Sequence, residues 1–327
     1  MGGNGAAEEA TVNWKYVYGP VPSRRLGRSL GVNPIPSKTC NYSCAYCQLG
    51  RTTLRTDERQ RFYPPSAILR EVAQALEGDD DGADYVTFVG EGEPTLCHDL
   101  GYLIGESKRL TRTPVAVITN GSLLGSVEVR AELAGSDVVV PSLDAVDDDL
   151  FRTINRPRLG LSAADVVDGL IAFREEFAGQ LWVEVMLVGG RNDGEAHLTR
   201  LRDALDRIRP DRVYVNVPIR PPAEDWVQIP DAEGLVRAQA LLGPVIMMDM
   251  QEEGDFGTRG FDDPLQAVEM IVRRHPMRLE QIDAVLADGG DLAGTLDELV
   301  ATGRLRALQY RGQTFYAAGA GRSPHGH

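Results

Sequence analysis

Three of the four cysteines in this 327-residue chain lie within a short segment, as Cys40, Cys44 and Cys47 in a C-x3-C-x2-C spacing. Three closely spaced thiolates can bind three irons of a [4Fe–4S] cube and leave the fourth iron open to another ligand. Zinc is an alternative, but it needs a fourth protein ligand, and Cys97 stands apart beside His98. A disulfide framework belongs to small secreted chains. The spacing therefore favours a cluster with an open iron, and Cys97 is predicted to be dispensable.

A second candidate group follows a predicted strand, in the run Gly-Glu-Gly-Glu-Pro at 90–94. Glycine lets the backbone approach a ligand closely, and proline keeps the strand from continuing. Gly92 and Glu93 are therefore candidates for a ligand site. The alternative is a plain glycine-rich turn with a solvated glutamate.

Polar residues also follow the next two predicted strands. Asn120 and Ser122 come after one, and Ser142 and Asp144 after the other. At strand ends such side chains are placed to bind hydroxyls and carboxylates of a ligand. The alternative is local: Asn120 and Ser122 would cap the following helix, and Asp144 would cap a turn.

Glu184 and Met186 alternate on the predicted fifth strand, so both face the same side of the sheet. A buried carboxylate at Glu184 is a catalytic candidate, whereas an acid paired within the core is the alternative. The strand runs into two glycines, followed by Asn192 and Asp193. Asp193 is predicted to cap the next helix.

Arg220 is flanked by prolines at the end of the predicted sixth strand. A rigidly aimed guanidinium can bind a carboxylate, phosphate or similar oxyanion of a substrate, which makes Arg220 a second catalytic-site candidate. A salt bridge to Glu224 or Asp225 is the alternative.

Short Val/Ile-rich runs alternate with amphipathic stretches, which is the pattern of a parallel α/β sheet buried on both faces. The predicted strands are Ser29–Asn33, Tyr85–Val89, Val115–Thr119, Val138–Leu143, Trp182–Val188 and Arg212–Pro218. The predicted helices are Ser66–Leu76, Leu100–Leu110, Ser126–Leu133, Ala163–Phe177 and Ala196–Ile208. The cysteine loop follows the first strand, beyond its carboxyl end, where ligand sites lie in such sheets.

The cysteine spacing, with Tyr46 directly before the third cysteine, and the Gly-Glu-Pro run resemble the radical S-adenosylmethionine (radical SAM) superfamily. The resemblance implies a (β/α)6 partial TIM barrel. It also implies two cofactors, a [4Fe–4S] cluster and S-adenosylmethionine, whose methionine half chelates the open iron. An electron supplied by a flavodoxin- or ferredoxin-type donor then splits a carbon–sulfur bond of the sulfonium.

The same resemblance assigns roles to the candidates. Glu93 would pair the methionine amino group, and Gly92 would leave that group room. Polar groups at the ends of the third and fourth strands would contact the ribose and the carboxylate. Tyr46 and the loop that contains Asn192 would lie near the adenine. The cofactor-binding residues are therefore predicted to be Tyr46, Gly92, Glu93, Asn120, Ser142, Asp144 and Asn192.

Within the superfamily, the segments 19–31 and 216–221 resemble a wyosine-synthase-related group, over about residues 16–260. Members that modify tRNA carry additional cysteines near the chain start for a second cluster. Here the first cysteine is Cys40. That absence and the net charge of −14 argue against a tRNA reaction, since surfaces that bind nucleic acid are usually basic.

Composition and patterning predict a cytoplasmic protein of two domains. No apolar run of 18 residues is present, so no membrane span is expected. Four cysteines without a secretory signal fit a reducing compartment. We predict a disordered tail over 1–13, the barrel over 14–260, a small domain over 261–318 and a second tail over 319–327.

The small domain is predicted to resemble a winged helix. Its helices are expected over Asp263–Arg274, Leu279–Ala287 and Ala293–Thr302, followed by a hairpin of Leu305–Tyr310 and Thr314–Ala318. The last helix contains Asp297 and Glu298 and lacks the arginine and lysine density that phosphate contacts require. A module that faces a partner or substrate, or that packs as a cap, is favoured over DNA binding.

Three functions follow from these patterns. The first, which we favour, is a radical SAM enzyme that acts on a small molecule through a 5′-deoxyadenosyl or an aminocarboxypropyl radical. The second is an enzyme that modifies RNA or peptide and holds its substrate with the C-terminal module. The third is an iron–sulfur redox sensor without catalytic activity.

Overall fold

The computed structural model describes residues 14–77, 82–248, 254, 256–258, 260–261, 263–286 and 292–319. The tail predicted over 1–13, the tail predicted over 319–327 except its first residue, and Ala287 at the end of a predicted helix lie outside these residues. In chain order the strands are β1 (Val17–Ser23), β2 (Gly27–Val32), β3 (Thr39–Cys40), β4 (Leu54–Arg55), β5 (Tyr85–Phe88), β6 (Val115–Thr119), β7 (Val138–Pro141), β8 (Gln180–Met186), β9 (Arg212–Asn216), β10 (Ile246–Met248), β11 (Met277–Arg278), β12 (Leu305–Tyr310) and β13 (Gln313–Ala318).

The helices alternate with these strands along most of the chain. They are α1 (Pro65–Glu77), α2 (Leu100–Leu110), α3 (Val127–Leu133), α4 (Asp148–Ile154), α5 (Ala163–Glu176), α6 (Glu195–Ile208), α7 (Ala232–Leu242), α8 (Pro264–Val272), α9 (Leu279–Leu286) and α10 (Leu292–Ala301), with a short 3₁₀ turn at Pro94–Leu96. The sequence predicted eight of these ten helices. Its pattern did not reveal α4 and α7.

The main sheet has the strand order β1–β2–β5–β6–β7–β8–β9–β10. Its strands from β2 to β10 are parallel, and β1 pairs antiparallel with β2. The sheet curls, since the turn between β1 and β2 reaches across to β8 and β10: Arg25 pairs with Glu184, and Arg24 donates to the carbonyl of Met248. All six predicted strands are present in a half-barrel, as the partial TIM barrel requires.

The two faces of the sheet are buried differently. Inside the curl, apolar side chains from six strands and the β1–β2 turn fill the amino-terminal end of the barrel, among them Trp182 on β8 and Tyr214 on β9. Outside, alternate residues such as Val183 and Val185 pack against the helices in the largest core cluster. The plug of side chains leaves the carboxyl end of the barrel as the place for a site.

The C-terminal part contains α8, α9, α10 and a three-stranded sheet in the order β11–β13–β12. The predicted hairpin turns at Arg311 and Gly312, both with positive φ, as a tight two-residue turn requires. Its core also includes Tyr18 and Val21 of β1, so this part packs directly on the edge of the barrel. The winged-helix interpretation and the domain boundaries stay predictions.

Among the described residues, no helix is both long and apolar enough to cross a membrane.

Candidate active site

A cavity of about 300 Å³ lies at the carboxyl ends of the parallel strands, above the plug of side chains. Ten of the residues predicted for the site line it: Cys40, Cys44, Tyr46, Cys47, Gly92, Glu93, Asn120, Ser142, Glu184 and Arg220. Asp144 and Asn192 do not line it. The topology therefore brings together polar groups that are up to 180 positions apart in the chain, as expected where parallel strands end.

The loop that carries the three cysteines is fixed by its neighbours. It leaves β2 and contains β3, which pairs with β4. The end of α4 and the residue after it run along its other side: Ser43 N–H donates to the Asn155 carbonyl at 3.1 Å, and Ala45 N–H donates to the Ile154 carbonyl at 2.7 Å. The loop is therefore held by backbone hydrogen bonds on both sides.

Two asparagines direct amide groups at the thiol sulfurs. Asn120 Nδ2 lies 3.7 Å from Cys40 Sγ, and Asn155 Nδ2 lies 3.8 Å from Cys44 Sγ. Hydrogen bonds to ligating sulfurs are one of the means by which a protein sets the reduction potential of an iron–sulfur cluster. Asn155 is a site residue that the sequence did not suggest, because it follows the unpredicted helix α4.

The surroundings of the thiols disfavour free thiolates, whereas bound iron would stabilise them. Burial raises the pKa of Cys40 to about 12 and holds the pKa of Cys44 well above its ordinary value. The positive charge of bound iron would supply the stabilisation that deprotonation of these ligands needs. Among the described residues, no three Cys, His, Asp or Glu side chains are arranged to hold one metal ion. A cube does not need that arrangement, since each thiolate binds a different iron.

Glu93 is a buried carboxylate held by four donors. Its Oε1 accepts from Thr95 N–H at 3.0 Å, from Thr95 Oγ1 at 2.6 Å and from Thr119 Oγ1 at 2.6 Å, and its Oε2 accepts from Asn120 N–H at 2.7 Å. Even so, burial raises the pKa of Glu93 above its usual range. A cationic group on the cavity side would offset that cost, so the arrangement suits an ammonium ligand.

Close packing explains why residue 92 is glycine, and the sequence did not show that contact. A Cβ there would lie 1.8 Å from the carbonyl oxygen of Thr39, directly before the first cysteine. That carbonyl accepts from Glu93 N–H at 3.1 Å, and Lys38 N–H donates to the Glu91 carbonyl at 2.6 Å. The glycine therefore lets the glutamate segment bond directly to the cysteine loop, which fixes Glu93 relative to Cys40.

Asp144 does not face the cavity, contrary to the prediction. Its Oδ2 accepts from Tyr46 Oη and from Asn155 Nδ2, both at 2.6 Å, and its Oδ1 accepts from Met186 N–H at 2.8 Å. Both oxygens are thus used inside the protein. Asp144 positions Tyr46, which does line the cavity, and it also orients the asparagine beside Cys44.

Asn192 is also buried outside the cavity, with no exposed surface. Its Nδ2 donates to the carbonyls of Asp144 and Met186 at 2.8 Å, and its Oδ1 accepts a backbone N–H of its own loop. It ties the end of β8 to the end of β7, and both N–H groups of its amide are used inside the protein. The predicted helix cap at Asp193 is also wrong, because α6 begins at Gly194 without a side-chain cap.

The floor of the cavity is a polar network across the curl of the sheet. Glu184 forms a salt bridge with Arg25 and accepts a hydrogen bond from Asn216 Nδ2. It is therefore a paired acid, the alternative that the sequence left open. Asn216 is 1% exposed, and its Oδ1 has no hydrogen-bond partner among the described residues. Only the NH2 group of the Asn216 amide can donate to the carboxylate of Glu184, so the amide oxygen is the atom that has no partner.

The rim of the cavity carries Arg220, whose guanidinium donates to Gln48 Oε1 at 2.7 Å. A salt bridge of Arg220 to Glu224, one form of the alternative that the sequence left open, is not formed. Glu224 instead binds two other arginines, Arg51 and Arg156, and they lower its pKa to about 2. Arg220 lines the cavity beside Gln48, the residue that follows the third cysteine.

The C-terminal part meets the same rim. Arg274 forms a buried salt bridge of 3.0 Å with Glu91, and its carbonyl accepts from Gln48 Nε2 at 2.7 Å. His275 Nε2 lies 3.0 Å from the guanidinium of Arg220, and Tyr310 Oη donates to the Pro218 carbonyl. These contacts join the C-terminal part to both the cofactor side and the strand-end side of the cavity.

Comparison with known proteins decides the family. The model of the radical SAM superfamily matches residues 35–204, which is more than half of the chain and includes the cysteine loop and the glutamate segment. The chain belongs to the radical SAM superfamily. A UPF0026 protein of Methanocaldococcus jannaschii is 36% identical over 307 residues, which cover 91% of this chain and 94% of that protein.

Two solved structures share the radical SAM fold. The structure of TYW1 with a lysine-pyruvate adduct bound aligns with a TM-score of 0.50 at 17% identity, over 69% of this chain and 77% of that one. The structure of native anSMEcpe with bound AdoMet also aligns with a TM-score of 0.50, at 15% identity over 65% and 58% of the two chains. These likenesses confirm the predicted partial barrel.

Membership in the radical SAM superfamily makes this chain an enzyme with a [4Fe–4S] cluster and S-adenosylmethionine as cofactors. The cavity fits both groups: three thiols lie on one side, and the buried carboxylate of Glu93 lies against the loop that carries them. When bound, the cluster supplies the electron that breaks a carbon–sulfur bond of the sulfonium.

Proposed function

We propose that Cys40, Cys44 and Cys47 hold the cluster and that Glu93 pairs the amino group of the methionine half of S-adenosylmethionine. The observation that carries this proposal is that the three thiols and this carboxylate line one cavity, joined through the Thr39 carbonyl. Asn120 and Ser142 line the same cavity and would supply donors and acceptors for the rest of the cofactor.

Tyr46 would lie against the adenine, held by the hydrogen bond that its hydroxyl donates to Asp144. An aromatic face with a fixed hydroxyl presents a flat apolar surface to a base at little cost in conformational entropy. Asp144 would therefore act through Tyr46 rather than by contact with the cofactor.

The substrate would be a small molecule bound between the floor and the rim. At the floor, Asn216 Oδ1 and the carboxylate of Glu184 accept hydrogen bonds, so the substrate should present an N–H or O–H group there. At the rim, Arg220 would bind an anionic group.

Which carbon radical is formed, 5′-deoxyadenosyl or aminocarboxypropyl, depends on how the sulfonium lies over the cluster. The test is anaerobic reconstitution with iron and sulfide, followed by reduction in the presence of S-adenosylmethionine. The proposal expects about four irons per chain, absorbance near 400 nm, and either 5′-deoxyadenosine or methylthioadenosine by mass spectrometry. A reconstituted protein that binds its iron and releases neither product would contradict the proposal.

A further inference from the structure

Lys38 lies two positions before the first cysteine and has an unusual backbone conformation. Its φ of 56° is in the left-handed region, which a residue with a side chain occupies only at a cost in energy. Hydrogen bonds hold it there: its N–H donates to the Glu91 carbonyl at 2.6 Å, and its carbonyl accepts from the N–H groups of Thr53 and Leu54, both at 3.1 Å. The backbone of Lys38 is therefore fixed between the glutamate segment and the β4 side of the cysteine loop.

The ammonium of Lys38 lies beside the turn that follows the third cysteine. Lys38 and Cys47 both line the cavity. A Cβ added to Gly50 would be 3.4 Å from Lys38 Nζ, and Gly50 N–H donates to the Cys47 carbonyl at 3.0 Å. The positive charge is therefore placed next to the segment that carries the third thiol.

No described carboxylate lies within ion-pair distance of this ammonium. The chain has three lysines, and the other two have partners. Lys108 Nζ pairs with Asp137 at 2.6 Å, and Lys15 Nζ lies 5.5 Å from the centre of the Tyr16 ring. Within the part of the chain that the structure describes, Lys38 Nζ takes part in neither an ion pair nor a hydrogen bond. Its charge can therefore act on a group bound in the cavity.

The third thiol already responds to that charge. Burial raises the pKa of Cys47, and the backbone N–H of Leu49 and the positive charge of Lys38 oppose the rise. The two asparagine amides described above reach the sulfurs of Cys40 and Cys44. Lys38 therefore supplies positive polarity at the third sulfur, as an amide does at each of the first two.

We propose that Lys38 sets the reduction potential of the cluster. The inference rests on the proposed function and adds a residue that tunes it. A cube bound by three thiolates has a net negative charge, and reduction by one electron adds another negative charge. A fixed cation beside the cube stabilises the reduced form more than the oxidised form, so the reduction potential becomes less negative. A weaker reductant can then reduce the cluster.

The test is a potentiometric titration of the reconstituted enzyme with dithionite, in which EPR spectroscopy measures the reduced cluster. S-adenosylmethionine is left out, so that its binding does not contribute. Lys38→Met removes the charge and keeps an unbranched side chain of similar length. It should lower the equilibrium constant for cluster reduction roughly tenfold, which is about 59 mV in midpoint potential for one electron. Lys38→Arg keeps the charge and should stay close to the wild type, whereas Lys38→Glu should have a lower potential than Lys38→Met.

Lys108→Met is the matched control. It also removes an ammonium group, but Lys108 lies on α2 and does not line the cavity, so the midpoint potential should not change. Every variant is first checked for about four irons per chain. If Lys38→Met assembles no cube, Lys38→Gln takes its place, with the same expected shift.

Equal midpoint potentials for the wild type, Lys38→Met and Lys38→Glu would overturn the inference. So would unchanged potentials combined with weaker binding of S-adenosylmethionine, or of inorganic phosphate as a probe for an anionic substrate group, because Lys38 would then be a ligand-binding residue. A wild-type protein that holds no iron after reconstitution would instead contradict the proposed function itself.

Discussion

Glu93 and Glu184 line the same cavity, yet their contacts indicate different roles. Replacing each in turn by glutamine distinguishes the two roles. Glu93→Gln removes the charge that would pair the cofactor's ammonium. A hydrogen bond to a charged group contributes about 1.5–3 kcal/mol, so Kd for S-adenosylmethionine should rise roughly 10- to 150-fold. Glu184→Gln should leave that Kd unchanged, because Glu184 pairs with Arg25 at the floor of the cavity.

The assay is calorimetric titration of each reconstituted variant with S-adenosylmethionine under anaerobic conditions. In Glu93→Gln the introduced amide would keep an oxygen for the hydroxyls of Thr95 and Thr119, but its NH2 group would face the N–H of Asn120. That mismatch costs about 1–3 kcal/mol, offset by relief from burying a charge. The apo variant should therefore stay folded, which thermal unfolding checks.

The pH dependence gives a second readout. Because burial raises the pKa of Glu93, the wild-type carboxylate takes up a proton at a higher pH than an exposed glutamate does. Its Kd should therefore rise as pH falls through that pKa, and the Kd of Glu93→Gln should not respond in this way. The reasoning is refuted if Glu93→Gln binds like the wild type while Glu184→Gln does not, since the cofactor would then lie on the floor.

Three further outcomes are expected. Cys40→Ala should lose the absorbance near 400 nm and cofactor cleavage together, whereas Cys97→Ala should keep its iron content and its turnover. Gly92→Ala should destabilise the apo protein by more than about 3 kcal/mol, because the added Cβ would clash with the Thr39 carbonyl. Gly105→Ala is the matched control, because a Cβ there contacts no other atom, and it should stabilise helix α2 by up to about 1 kcal/mol. Urea unfolding measures both changes. Burial lowers the pKa of His197, so the unfolded chain takes up a proton first and stability should fall as pH drops below about 6.5. Comparing urea midpoints at pH 7.5 and 5.5 should show that slope in the wild type and a smaller one in His197→Gln.

The sequence was informative wherever the chemistry is local. The spacing of Cys40, Cys44 and Cys47 and the Gly-Glu-Pro run are each contained in a few residues, and the rule that parallel strands end at a common edge placed them in one cavity. The strands were predictable because their faces are both buried, which leaves a continuous apolar run. Helix α4 is short and carries three acidic or basic residues in seven, so its pattern gave no clear signal.

The failures share a physical cause. A polar residue after a strand can face a ligand or satisfy a buried backbone group, and the sequence does not distinguish the two. Asp144 follows Ser142 by two positions, yet the chain turns between them, so that Ser142 lines the cavity while Asp144 accepts from Met186 of the next strand. Asn192 likewise serves two carbonyls that its burial would otherwise leave without a donor.

The sequence also did not predict the long-range contacts of the C-terminal part, and these contacts bear on what that part does. Its charged residue Arg274 is buried against Glu91, only two positions before Glu93. A buried ion pair costs desolvation at both ends, and removing one partner leaves the other charge uncompensated. The packing of α8 on β1 therefore fixes the glutamate segment as well as closing the edge of the barrel. The carbonyl of Arg274 also accepts a hydrogen bond from Gln48, and the ring of His275 contacts the guanidinium of Arg220. This part therefore holds three residues of the cavity rim in place: Glu91, Gln48 and Arg220. The surface that α8 and its following turn offer is therefore already used within the chain, at the edge of the barrel and at the rim of the cavity.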